Sequence, residues 1–258
     1  MNYAKEIEFI KAQMIEAYNL FCSKGDKRSQ KATFDIVTET DKEIEKFLTE
    51  KIKSEYPFDL VMGEEFSSTQ LPEKRCWTID PIDGTFNFAY GLSFFGIQAS
   101  LIDNGEIVMG AIYLPYFKEF YEAEIGKGAY LNGKRIFVDK NGVSRSGVVS
   151  IGDFSRKKEG KLAKKQFDML KKLYGLVAKV RMFGAACVDF STLSSGKIHA
   201  TTLITKNLWD IAPGIAISRE AGAIVTDLEG NPYNINAEGV ISACNEEFSN
   251  ILVKCYKE

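Results

Sequence analysis

Apolar residues recur at helical spacing near the start of the chain, at Tyr3, Ile7, Ile10, Met14, Tyr18 and Phe21, with Lys and Glu between them. This pattern predicts an amphipathic helix over 3–21. The period then lapses. The stretch from Ser23 to Thr33 is polar, carries four Lys/Arg and reads as a mobile loop. Residues 34–37 read as extended. Thr40-x-x-Glu43 has the form of a capping box and opens a helix with Ile44, Phe47, Leu48 and Ile52 on one face, which Pro57 ends. Residues 58–62 and 75–80 are short apolar runs and read as buried strands. Strand-like segments follow at 94–102, 107–113 and 118–124, with turns at Asn104-Gly105 and around Pro115, then a tight turn with short strands at 126–136.

The second half alternates. A basic helix is predicted over 157–173, a strand at 177–182, and a helix at 185–195 ended by Gly196. A strand at 198–204, a helix at 211–221 ended by Gly222, and a strand at 223–227 come next. A meander followed by alternation predicts a layered α/β sandwich with mixed sheets. No segment reads as an interdomain linker, so 1–258 is expected to form one domain.

Composition narrows the chemistry. The chain has 258 residues, 33 Lys+Arg against 35 Asp+Glu, and a single histidine. A net charge of -2 supplies no bulk attraction to nucleic acid or anionic lipid. One histidine excludes metal sites that need two. The five cysteines are scattered with no C-x-x-C, which argues against a disulfide framework or zinc ribbon and fits a reducing cytosol. No apolar run approaches the ~20 residues of a membrane span. Carboxylate, hydroxyl and backbone remain as sources of reactivity.

The most informative segment is Trp77-Thr-Ile-Asp80-Pro-Ile-Asp83-Gly-Thr85-Phe-Asn87. A hydrophobic strand runs into Asp80, Pro81 is expected to break it, and Asp83 follows. Two carboxylates at the end of a buried strand are costly unless something positive compensates them. The segment has no Lys or Arg, which points to a metal, and hard oxygen donors suit Mg²⁺ or Mn²⁺. Backbone N–H groups after Asp83, at a helix start, would suit a phosphate. The competing reading is an Asx turn and an N-cap. Glu64 in Gly63-Glu64-Glu65, Asp41 in a first helical turn, and Asp210 after Trp209 also fall at element ends. Taken alone, Glu64 reads as part of a solvated surface patch, Asp41 as a helix-dipole partner and Asp210 as an N-cap.

Together these segments resemble the inositol monophosphatase family of Mg²⁺-dependent phosphatases. The resemblance includes D-x-V-T-x-x-D at 35–41, G-E-E at 63–65, W-T-I-D-P-I-D-G-T-F-N-F-A-Y-G at 77–91 and G-K-G-A-Y-L-N-G at 126–133. It continues through G-A-A-C-V-D at 184–189, L-W-D-I-A-P-G at 208–214 and R-E-A-G at 219–222. It implies an αβαβα sandwich of mixed sheets and helix pairs. By the same resemblance, Glu64, Asp80 and the carbonyl of Ile82 would hold one Mg²⁺, and Asp80, Asp83 and Asp210 a second. A third, held through water, would lie near Glu64. Thr85 would hydrogen-bond Asp41, and the pair would prepare the attacking water. The N–H groups of Gly84 and Thr85 would take phosphate oxygens, and the turn at Ala185 and Ala186 would face the sugar. Lithium inhibition, a homodimer and a small phosphate ester as substrate are also implied.

The family's polyol-contacting glutamate, seven residues before the Trp-Asp aspartate, is replaced by Leu203. A leucine accepts no hydrogen bond. The expected substrate is a small sugar or polyol phosphate such as inositol 1-phosphate, with fructose 1,6-bisphosphate and 3'-phosphoadenosine phosphates as alternatives. Eight Lys/Arg over 156–172 read as a solvated helix face, the alternative being a binding role for that helix. His199, Cys76 and Cys187 read as structural, and Trp77 and Trp209 as packing behind the acids.

Overall fold

The computed structural model describes residues 2–22, 28–32, 35–65, 74–154 and 161–257, with the side chains of 28–38 and 161–162 left aside. The first helix, α1 (Ala4–Phe21), lies beside α2 (Glu39–Glu55). Both cover one face of a seven-stranded sheet. In chain order its strands are β3 (Leu60–Gly63), β4 (Cys76–Asp83), β5 (Gly96–Asp103), β6 (Glu106–Leu114), β7 (Glu119–Glu124), β8 (Gly128–Leu131) and β9 (Lys134–Ile136). Only β3 and β4 run parallel; the rest is the expected meander. Ile10, Met14, Ile44, Leu48 and Ile52 meet Trp77, Ile79, Ile97 and Met109 in one apolar core.

On the sheet's other face lie α5 (Ala186–Ser194) and α6 (Leu208–Glu220). They separate it from a second, five-stranded mixed sheet of order β11 (Lys179–Arg181), β10 (Val148–Ile151), β12 (Ala200–Leu203), β14 (Val240–Ala243) and β13 (Ile224–Thr226). Its outer face carries α4 (Lys161–Leu173) and α7 (Glu246–Lys257). The result is the five-layer αβαβα order implied by the resemblance. A helix pair buried between two sheets has no polar face to expose. Residues 208 and 209 and 211–218 of α6 are accordingly all buried.

Several expectations are corrected. Arg28–Ala32 is not loop but a strand, β1, antiparallel to β2 (Asp35–Thr38); 23–27 lie outside the described residues. α2 opens at Glu39, so Thr40 is a buried first-turn residue and not the cap of a capping box. α4 is described from Lys161, and its expected start at 157 lies outside the described residues. β14 and α7, beyond the last predicted strand, complete the second sheet and its cover. His199 accepts the Val148 N–H at 3.1 Å on Nδ1 and stacks on Phe248, a structural role.

The inner helix sits unusually close to the first sheet. A Cβ at Gly110 of β6 would lie 2.3 Å from the Pro213 carbonyl oxygen and 2.9 Å from Ala216 Cβ. Only glycine permits this approach, which sets the depth of α6 and the height at which its first turn meets β4. Gly110→Ala is expected to destabilise the fold by about 1–3 kcal/mol through overpacking. Thermal unfolding checks this; an unchanged Tm would refute the close approach.

Candidate active site

Asp80 and Asp83 are aimed by an irregularity in β4. Asp80 pairs with Gln98 and Asp83 with Gly96, so three steps on β4 face two on β5. This is a bulge around Pro81, which was expected to end the strand. Proline's missing N–H is tolerated at a bulge, and the bulge redirects the side chains on either side of it. Gly84 then turns the chain at φ +88° into α3 (Thr85–Ala89). A Cβ there would lie 2.9 Å from both Ala185 Cβ and the Phe94 carbonyl oxygen. The glycine therefore seats the end of β4 against the start of α5.

A cleft of about 240 Å³ opens at this junction. Glu64, Asp80, Ile82, Asp83, Gly84, Thr85, Ala185, Ala186 and Asp210 all line it. Asp41 stands behind, fully buried, where it accepts a hydrogen bond from Thr85 Oγ1 at 3.2 Å. The same hydroxyl lies 3.0 Å from the Ile82 carbonyl oxygen. Asp210 is not an N-cap: α6 begins at Leu208 after Asn207, and Asp210 lies inside its first turn. Leu203 also lines the cleft, so an apolar surface stands where the family has a glutamate.

Neutral donors hold the acids in place. The N–H of Cys187 donates to Asp83 Oδ2. Thr205 Oγ1 donates to Asp210 Oδ2 at 3.2 Å. Gln98 Nε2 reaches Asp80 Oδ2 at 3.4 Å and the Asp210 carbonyl at 3.1 Å, linking β4 to α6 through β5. The buried Glu45 carboxylate of α2 accepts the Glu65 N–H at 2.7 Å and so fixes the turn that presents Glu64. Glu45, Gln98 and Thr205 carry no expectation from the sequence. Gln98 leaves a trace, as a polar residue inside an apolar strand; Glu45 is one polar residue among many on an amphipathic helix. Asp153 and Asp189 also line the cleft, and only Asp189 falls in a motif noted above.

These donors orient the acids without neutralising them. Burial pushes the Asp80 carboxyl well above its ordinary value, and the charges of Glu64, Asp83 and Asp210 push it further. Burial raises Asp83 to about 6, against the opposing N–H bonds from Cys187 and Ala186. Burial, with the charge of Asp83, raises Asp210 to about 7. No Lys, Arg or His appears among the described lining residues.

The donor set fits a hard divalent cation. Asp80 Oδ1 is buried with no hydrogen-bond partner, a strong acceptor left without a donor. The groups around it are carboxylate, carbonyl and hydroxyl oxygens, with no imidazole and one protonated thiol, since burial pushes Cys187 well up. Among the described residues no three acidic, thiol or imidazole side chains are gathered as a finished metal cage. Mg²⁺ does not require one, because it takes one or two carboxylates and keeps several waters.

The family model for inositol monophosphatases matches residues 4–256. The chain belongs to the inositol monophosphatase family. It is 34% identical over 224 residues to a fructose-1,6-bisphosphatase/inositol-1-monophosphatase of Thermotoga maritima, spanning 85% of this chain and 79% of that one. A solved Thermotoga maritima IMPase superposes with TM-score 0.87 at 28% identity, over 98% of this chain and 96% of that one. An IMPase/NADP phosphatase solved with Mg²⁺ and phosphate shares the fold at TM-score 0.83 and 21% identity, covering 98% and 94% of the two chains. The family consists of metal-dependent phosphatases, typically sensitive to lithium. This inositol monophosphatase family member is accordingly a phosphatase, and no helix among its described residues is long and apolar enough to cross a membrane.

The raised carboxyls set a pH dependence. A carboxyl whose folded pKa exceeds its unfolded value stabilises the fold fully below the unfolded pKa, here 3.8, and loses that contribution as pH rises through the folded pKa. For Asp83 and Asp210 the loss runs from about 4 to just above 7. In EDTA the Tm is expected to fall across this window. Mg²⁺ is expected to raise Tm by an increment that grows over the same range. Differential scanning fluorimetry across pH, with and without Mg²⁺, checks it; a Mg²⁺ increment independent of pH would count against these carboxyls as the binding groups.

Proposed function

We propose that the chain, acting as one domain over 1–258, hydrolyses small sugar or polyol monophosphates such as inositol 1-phosphate with Mg²⁺ or Mn²⁺ as cofactor. The observation that carries this reading is the unpartnered Asp80 oxygen, buried in a cleft of carboxylates that contains no described cation. Glu64, Asp80 and the Ile82 carbonyl would hold one ion, and Asp80, Asp83 and Asp210 a second. A third would sit by Glu64 through water. When bound, the ions supply a water of lowered pKa and neutralise charge on the phosphoryl oxygens.

The chain's own residues do the rest. The single hydroxyl proton of Thr85 lies within reach of both Asp41 Oδ1 and the Ile82 carbonyl oxygen; donated to Asp41 as a hydrogen bond, it would leave a lone pair of the Thr85 oxygen to orient the attacking water. That bond favours Thr85 as a positioner over a nucleophile, and no phosphoenzyme is required. The N–H groups of Gly84 and Thr85, at the start of a helix where no intrahelical acceptor exists, are free to meet phosphate oxygens. The turn at Ala185 and Ala186 would face the alcohol. Fructose 1,6-bisphosphatase activity, as in the name of the Thermotoga maritima relative, is the alternative, with 3'-phosphoadenosine phosphates a further one.

A homodimer in the cytoplasm is part of the same reading. Free cysteines fit a reducing compartment. Phe94, Tyr116 and Phe117 pack on one another yet remain exposed, and support self-association through that face. Multi-angle light scattering is expected to give twice the chain mass, falling to one chain mass in Phe117→Glu; a monomeric parent would refute the dimer.

Asp83→Asn is expected to lower Mg²⁺-dependent phosphate release from inositol 1-phosphate by about 10²-fold or more, as loss of a group that stabilises the transition state does. Its Tm in EDTA should match or exceed the parent, because one repelling charge is gone. Parent-level turnover in this variant would remove Asp83 from the site.

A further inference from the structure

One carboxylate in the cleft has no task in the reading above. β10 and β12 run parallel, and the Gly152 N–H donates to the Thr202 carbonyl at 3.0 Å, carrying their pairing past Ile151. Gly152 packs on Leu203, with an added Cβ at 3.4 Å from Leu203 Cγ. The next residue, Asp153, therefore emerges beside Leu203 and Ile204 on the same cleft wall. Its backbone is pinned, because its carbonyl oxygen accepts Gln166 Nε2 at 2.8 Å and Gln166 is buried. Its side chain is exposed, and among the described residues it has no hydrogen bond or ion pair. Its charge pushes up the carboxyls of Asp83 and Asp189, which line the same cleft.

We propose that Asp153 selects the leaving group: it accepts a hydrogen bond from a hydroxyl or ammonium of the alcohol and repels any second phosphate. This rests on the phosphatase reading and deepens it. The wall formed by Leu203, Ile204 and Asp153 offers one anionic acceptor on an apolar ground. An alcohol bearing a donor satisfies that acceptor, and one without a donor leaves it unpaired, a distinction to which polar sites are sensitive. A second phosphate at that wall meets a like charge, and no Lys or Arg among the described lining residues offsets it. The substrate class is thus the monophosphate of a polyol or amino alcohol rather than a bisphosphate.

The test measures kcat/KM for inositol 1-phosphate and fructose 1,6-bisphosphate at saturating Mg²⁺, in the parent and in Asp153→Asn and Asp153→Ala. Asp153→Asn removes the charge but keeps an acceptor, and should raise the bisphosphate-to-monophosphate ratio by about tenfold. Asp153→Ala removes both and should raise it further, mainly through a higher KM for inositol 1-phosphate. In the parent, added NaCl should raise the same ratio by screening the repulsion. A ratio that is unchanged in both variants overturns the proposal. So does an equal fall on both substrates with a higher Mg²⁺ requirement, which would make Asp153 a metal ligand. Absence of Mg²⁺-dependent release from both substrates by the parent would sink the phosphatase reading itself, and this assignment with it.

Discussion

Asp80, Asp83 and Asp210 come from two different elements and are driven into one small cleft, where burial and mutual repulsion both oppose their ionisation. Among the described residues the groups that donate to them are neutral, including the Gln98 amide, the Cys187 and Ala186 N–H groups and the Thr205 hydroxyl. Neutral donors fix direction and leave charge uncompensated. The arrangement is therefore costly as it stands, and a bound cation would relieve that cost.

The surrounding architecture brings the acids to that point. Gly110 lets α6 lie against β6, Gly84 lets β4 end against α5, and the bulge at Pro81 turns Asp80 and Asp83 toward the same space. Glu45, buried on α2, reaches across to hold the turn bearing Glu64. The two glycines and Glu45 act through contacts between separate elements, and the bulge through the register of two adjacent strands. Loosening any one of them would displace an acid of the candidate site.

Much of the candidate site is legible in the sequence because its acids sit at the ends of strongly patterned elements, in segments with a specific order. Asp41, Glu64, Asp80, Asp83, Thr85 and Asp210 all belong to such segments, and five of them line one cleft with Asp41 directly behind. The supporting residues were not legible. Gln98 and Glu45 act through partners on other elements, and Asp153 matters because β10 ends beside β12. Local errors had local causes. Pro81 signals a break where the neighbouring strand permits a bulge, and Thr40 signals a cap where the helix starts one residue earlier. The strand Arg28–Ala32 is polar and is specified by its pairing with Asp35–Thr38 rather than by its own pattern.

Periodicity and turn chemistry are local properties, so the layered α/β class, the acids of the candidate site and most of the element order follow from pattern alone, whereas the strands Arg28–Ala32, Val148–Ile151 and Val240–Ala243 and the helix Glu246–Lys257 do not. That Asp80 keeps one buried oxygen without a hydrogen-bond partner, that α6 begins before Asp210, and that Leu203 and Asp153 share one wall all follow from how the elements pack. Those facts depend on distances between residues more than a hundred positions apart in some cases, and packing, not pattern, sets such distances.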